Sequence, residues 1–283
     1  MTFNPIAALN ILECKNIILE EKPNALDLGS QTASIDNTFI KNLLTQNKPL
    51  NNLQKKKLEN LIHTDKFSTK DYFESIGFIK YKSIDINGAY GSYPFDLNKN
   101  ISKNYNFNEQ YDLVINNGTG EHVFNQYSLY LNFHNLTKTN GIMLNILPFI
   151  DWINHGFYNF NPIFFADLAA SNNYEIIKIS LANRNGAELK LEGDNFEILF
   201  EQIKPNKNNS KFEKMIEIAK DKIGKNILLV VSTRKLTNDS FKIPLQGKYL
   251  EDISNLKTDY IKQEGGSANA SNQISDNIKR KDY

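Results

Sequence analysis

Apolar residues along this chain fall into short continuous runs separated by stretches of helical spacing. The first run, at 24–28, places Ala25, Leu26 and Leu28 around Asp27, enters after Pro23 and stops at Gly29. A run of this length between turn residues predicts a buried strand. Similar runs predict strands at 81–86, 94–98, 110–116, 141–147, 174–179 and 227–231. The last, Ile227-Leu228-Leu229-Val230-Val231, is apolar throughout, as expected of a strand covered on both faces.

Helical spacing fills the gaps. Residues 1–20 predict a leading helix, 33–80 three helices, and 123–136 one more. Another opens near Pro162, an ordinary place for proline, and one lies near 211–223. Strands alternating with helices predict an α/β domain, its sheet mostly parallel and covered on both faces. The organisation read from this pattern is a cover segment at 1–23, one domain at 24–250 with a helical insert at 33–80, and a polar tail at 251–283 without regular structure.

Charge narrows the partners. Lysine and arginine total 33 against 32 acids, a net charge of +1. The only arginines are Arg184, Arg234 and Arg280, so no polyanion site is evident and nucleic acid is not an expected partner. Lys55-Lys56-Lys57 reads as a solvated helix face. No apolar run is long enough to cross a bilayer, and the start lacks a signal-peptide pattern, so a cytoplasmic location without membrane contact is expected. The single Cys14 rules out a disulfide within the chain. Oligomeric state is left open, a homo-oligomer included.

The candidate chemistry lies at the carboxyl ends of the predicted strands. Gly29 permits a sharp turn and close approach of a ligand to backbone. Asp85, ending the second strand, suits a ribose diol. It stands at position 85 against 29 for the glycine, well beyond the ~20 residues of a dinucleotide fold, and Gly-x-Gly-x-x-Gly is absent. Both features count against NAD and suit a nucleoside ligand without phosphates.

Asp27-Leu28-Gly29-Ser30, Asp85, Asp96-Leu97-Asn98 and Tyr111-Asp112-Leu113-Val114-Ile115 together resemble the class I S-adenosylmethionine-dependent methyltransferases. Gly118-Thr119-Gly120-Glu121-His122-Val123-Phe124-Asn125 and His155-Gly156-Phe157-Tyr158-Asn159-Phe160-Asn161-Pro162 resemble a bacterial subgroup acting on small molecules or saccharides. The likeness covers roughly 24–180 and the strand near 227–234. It implies a Rossmann-like sheet of about seven strands, mostly parallel with the last antiparallel, and S-adenosylmethionine as cofactor. By the same resemblance, Asp27, Gly29 and Ser30 lie by the methionine end, Asp85 and Ile86 by the ribose, and Asp96 and Leu97 by the adenine. Asn116 and Asn117 would face the transferred methyl. Ser30 and Gln31 depart from the family, which has small residues there.

An acceptor hydroxyl or amine must lose a proton. Glu121 and His122 follow the fourth strand, and His155 follows the fifth. His122 or His155 is the expected general base, with Glu121 supporting it or binding the acceptor. Glu121 is equally compatible with a plain helix start, and His155 with a loop-holding bond. Trp152, His155, Phe157 and Tyr158 are the candidate acceptor-pocket residues, or else core beneath a long loop. The trio lacks a zinc-like sequence spacing, so no metal is expected. His63 and His134 read as surface or packing residues. Two other readings stand beside the methyltransferase: a nucleotide-dependent oxidoreductase or epimerase on a similar sheet, and a non-catalytic binding module.

Overall fold

The protein, seen here as a computed structural model, is described over residues 2–46, 49–64, 67–191 and 211–246. Its centre is a seven-stranded sheet made of β1 (Asn24–Asp27), β2 (Lys80–Ser83), β3 (Tyr111–Asn117), β4 (Thr137–Ile150), β5 (Tyr174–Ala182), β6 (Glu188–Lys190) and β7 (Ile227–Lys235). Their order is β2-β1-β3-β4-β7-β5-β6. β1 runs parallel to β2 and β3, and β3 parallel to β4. β7 lies antiparallel between β4 and β5. This is a Rossmann-like sheet, with its last strand reversed.

Strand alternation divides the core. Leu26, Val114, Met143 and Leu229 face one layer, which includes α5 (Ile101–Tyr105), α6 (Gln126–Leu136), α7 (Pro162–Asn172) and α8 (Lys211–Ile223). Ala25, Leu113, Ile115 and Val230 face the other, which includes α1 (Pro5–Ile17), α2 (Asn37–Thr45), α3 (Asn52–Ile62) and α4 (Thr69–Ser75). Successive side chains on a strand point to opposite faces, which separates these two sets. The three insert helices start on side-chain caps from Asp36, Asn51 and Ser68, each accepting a bond from the first helical turn. Lys55, Lys56 and Lys57 are exposed on α3.

Several elements differ from the pattern-based reading. No strand forms at 94–98: Tyr93 makes one bridge with Ile84, after which the chain turns. Pro94 has no N–H for a ladder, and the Asp96 carboxylate accepts the Asn98 N–H at 2.9 Å, closing a local turn. α6 begins at Gln126, because Gly120–His122 first forms a single 3-10 turn. β6 and α5 are additions of three and five residues, too short to carry a period. The polar tail expected at 251–283 lies outside the described residues.

Candidate active site

The chain leaves β1 toward β2 on one side and then crosses to β3 on the other. Open α/β sheets bind ligands beyond the strand ends at such a reversal. A cavity of about 430 Å³ lies there, bounded by Gly29, Ser30, Asp85, Ile86, Asp96 and Leu97, and also by Thr119 and His122. Six of the nine expected cofactor residues therefore meet in one space. The Gly29 N–H donates to Asp27 at 3.2 Å, setting the turn. Asp85 accepts from the Ser30 N–H at 3.3 Å and the Asn87 N–H at 3.2 Å. Asp96 is held below the usual carboxylate range by the bonds it accepts from Asn98. A side chain at Gly29 would collide with the Thr119 hydroxyl and force it to turn, so glycine suits the close approach of the first and third strand ends.

The other three expected cofactor residues do not line this cavity. Asp27 is buried beneath the turn, and burial holds its carboxyl well above the ordinary value. Asn116 is fully buried; it accepts from the Gly120 N–H at 2.8 Å and donates to Asn145 at 3.1 Å. Asn117 donates to Gln31 Oε1 at 2.7 Å, and Gln31 donates back to the Asn117 carbonyl. These groups brace the loops. Gln31, Thr119 and Asn145 escaped the sequence reading. The only signal was Gln31 standing where small residues were expected.

Glu121, His122 and His155 converge. Asn116 fixes the 3-10 turn that carries the first two. The Glu121 carbonyl accepts from the Phe157 N–H at 2.7 Å and the Tyr158 N–H at 3.3 Å, pulling the second loop against the first. Glu121 Oε1 lies 3.7 Å from His122 Nε2 and 3.4 Å from His155 Nε2. Glu121 is fully buried, and neither carboxylate oxygen has a hydrogen-bond partner among the described residues; His155 Nε2 has none either. Burial lifts the Glu121 carboxyl to about 7. Burial lowers both histidines, and the His122 charge lowers His155 further.

The aromatic candidates separate. Trp152 is a core residue: its indole N–H donates to the Ile227 carbonyl at 3.0 Å and its ring backs His155 at 4.8 Å. Phe157 is exposed and meets Phe124 edge-on at 5.8 Å, forming an apolar lip beside the trio. The Tyr158 hydroxyl donates to the Phe124 carbonyl at 2.9 Å. A second cavity of about 860 Å³ shares Ser30 and Gln31 with the first and reaches Phe67 and Lys70 at the start of α4. His134 is packed in the core, and His63 caps α3. No helix among the described residues is long and apolar enough to cross a membrane.

No family model matches the chain, and no curated protein matches it. Among solved structures it is similar to TehB from Haemophilus influenzae, with TM-score 0.41 and 12% identity over 80% of this chain. The chain spans only 61% of that protein. It is also similar to the O-methyltransferase from a trans-AT PKS multienzyme of Brevibacillus brevis in complex with S-adenosyl-L-homocysteine. There the TM-score is 0.42 and the identity 12%, over 98% of this chain and 86% of that one. A SAM-dependent methyltransferase from Archaeoglobus fulgidus gives TM-score 0.40 and 10% identity, over 81% and 92% of the two chains.

Proposed function

We propose that this chain is an S-adenosylmethionine-dependent methyltransferase that methylates a hydroxyl or amine of a small molecule or saccharide. The observation that carries the reading is that Asp85 and Asp96 share one cavity with the Gly29 turn, at the switch point of the sheet. The donor set fits the cofactor. Asp85 uses one lone pair on each oxygen for Ser30 and Asn87, and a carboxylate offers about four. Those remaining suit a ribose diol. Asp96 Oδ2 suits the adenine amino group, and Leu97 gives an apolar surface to the base.

When bound, S-adenosylmethionine supplies a sulfonium methyl that passes in line to the acceptor heteroatom, the C–S bond breaking as the new bond forms. The protein's part is to align the acceptor with that methyl and to take up the acceptor's proton. His122 lines the cavity, with Glu121 and His155 beside it, so this trio is the proposed acceptor of that proton. Phe124 and Phe157 offer faces suited to a ring-shaped acceptor.

The test is calorimetry with S-adenosylmethionine, S-adenosylhomocysteine and NADH. The reading expects both sulfur ligands to bind and NADH to fail. Binding of NADH alone would replace it with an oxidoreductase, and binding of none of the three would remove the cofactor assignment.

A further inference from the structure

The geometry points to a divalent metal site formed by Glu121, His122 and His155, with its open coordination position toward the cavity. This revises the expectation that the trio holds no metal. Sequence spacing gave no hint of it, since His155 reaches Glu121 only through the fold.

Distance is the first argument. A carboxylate bonded directly to an imidazole N–H would sit about 2.7–2.9 Å away. Here the gaps are 3.4 and 3.7 Å. Zinc takes nitrogen at about 2.0–2.1 Å and carboxylate oxygen at about 2.0–2.2 Å, so two ligands at a tetrahedral angle lie about 3.3–3.5 Å apart. One atom from each of the three residues falls within 4.8 Å of the others. Both gaps are long for a hydrogen bond; the Glu121–His155 gap matches two ligands of one ion, and a small turn of the half-exposed His122 ring would bring the third atom to the same distance.

Satisfaction is the second argument. Glu121 is fully buried, and among the described residues neither of its carboxylate oxygens has a hydrogen-bond partner. His155 Nε2, the atom facing it, is likewise without one among the described residues. Buried charges in proteins are paired, hydrogen-bonded or bound to metal. A cation at the centre satisfies all three atoms at once.

Rigidity is the third. A Cβ at Gly156 would lie 2.8 Å from the Glu121 carbonyl oxygen and 2.9 Å from Glu121 Cγ. Glycine there lets His155 reach the trio, and the paired bonds to the Glu121 carbonyl fix the approach.

Two imidazoles and one carboxylate suit zinc and its late first-row neighbours, whereas magnesium and calcium prefer all-oxygen shells. Three protein ligands leave a position open. His122 is half-exposed and lines the cavity, so that position faces the acceptor. A hydroxyl bound there would lose its proton to solvent more readily and attack the methyl carbon as an alkoxide. The site stands on its own geometry; this role rests on the methyl-transfer reading and favours oxygen acceptors.

The test uses the full chain stripped with chelator and titrated with Zn²⁺ and with Co²⁺. The expected result is one equivalent per chain and, for cobalt, the visible absorption of a four-coordinate site. Groups that merely hydrogen-bond a metal's ligands change its affinity by about 10–100-fold, so removing a ligand in His122→Ala or His155→Ala should weaken binding at least about 100-fold. His122 is partly solvated, so His122→Ala keeps the test valid if the other variant unfolds. Absence of stoichiometric binding, or binding unchanged in His122→Ala, would overturn the site and leave a carboxylate–histidine proton relay. S-adenosylhomocysteine binding by the stripped protein separates the two readings, because the cofactor assignment can fail while the metal titration succeeds, and the reverse.

Discussion

The backbone N–H of Ser30 donates to the carboxylate of Asp85 at 3.3 Å, so the first turn and the end of the second strand are held together before any ligand arrives. The acid therefore has two jobs: it fixes the wall of the cavity, and it presents its remaining lone pairs to the space. Asp85→Ala removes both. S-adenosylhomocysteine affinity should fall about 10–100-fold, the equivalent of about 1.5–3 kcal/mol for hydrogen bonds to a charged group. Calorimetry on a variant with wild-type circular dichroism would show it, and unchanged affinity would mean the nucleoside binds elsewhere.

Gly156→Ala tests the closure of the second loop. The new methyl would meet the Glu121 carbonyl at 2.8 Å, and backbone must move to make room. Overpacking of this kind costs about 1–3 kcal/mol. Because neither Gly156 nor Glu121 lines the cavity proposed for the cofactor, the loss should appear in turnover rather than in S-adenosylhomocysteine affinity. Equal losses in both would show that the two regions do not act separately.

Cys14 is the only thiol in the chain and lies buried on α1, where burial pushes it up to about 12. The thiolate is the reactive form. A thiol reagent at pH 8 should leave the folded protein untouched and label one equivalent in denaturant. Rapid labelling without denaturant would place α1 away from the sheet.

Much of this architecture was legible in local pattern. Leu26 and Leu28 against Ala25, and Val114 against Leu113 and Ile115, reveal two covered faces without knowledge of a partner strand. Asp85 was legible as an acid closing an apolar run, and its bonds from the Ser30 and Asn87 N–H groups are turn contacts that a sequence does not show. Asn116 and Asn117, expected to face the methyl, turn inward and bond to Gly120, Asn145 and Gln31, and a sequence does not show where such bonds go. The trio was legible as three polar residues following neighbouring strands. Its ligand-like spacing was not, because the contact is made by a loop closing through Gly156, far along the chain from Glu121.

His134 gives a pH prediction independent of the site. Its Nε2–H donates to the Asp239 carbonyl at 2.8 Å, since a carbonyl can only accept, and Nδ1 then accepts from the Tyr174 hydroxyl at 2.6 Å. The fold thus holds the neutral ring. Burial, with the charge of Lys235 added, lowers it from the ordinary 6.5 to about 4. A depressed histidine is neutral in the folded chain and gains a proton more readily once unfolded. Its contribution is therefore complete above about pH 6.5 and is lost as the pH falls toward 4. Urea midpoints should drop between pH 7 and pH 4.5, with this residue accounting for on the order of 2 kcal/mol. His134→Gln, less stable at pH 7, should show a flatter profile over that window. A profile as steep as wild type would assign the acid sensitivity to other groups.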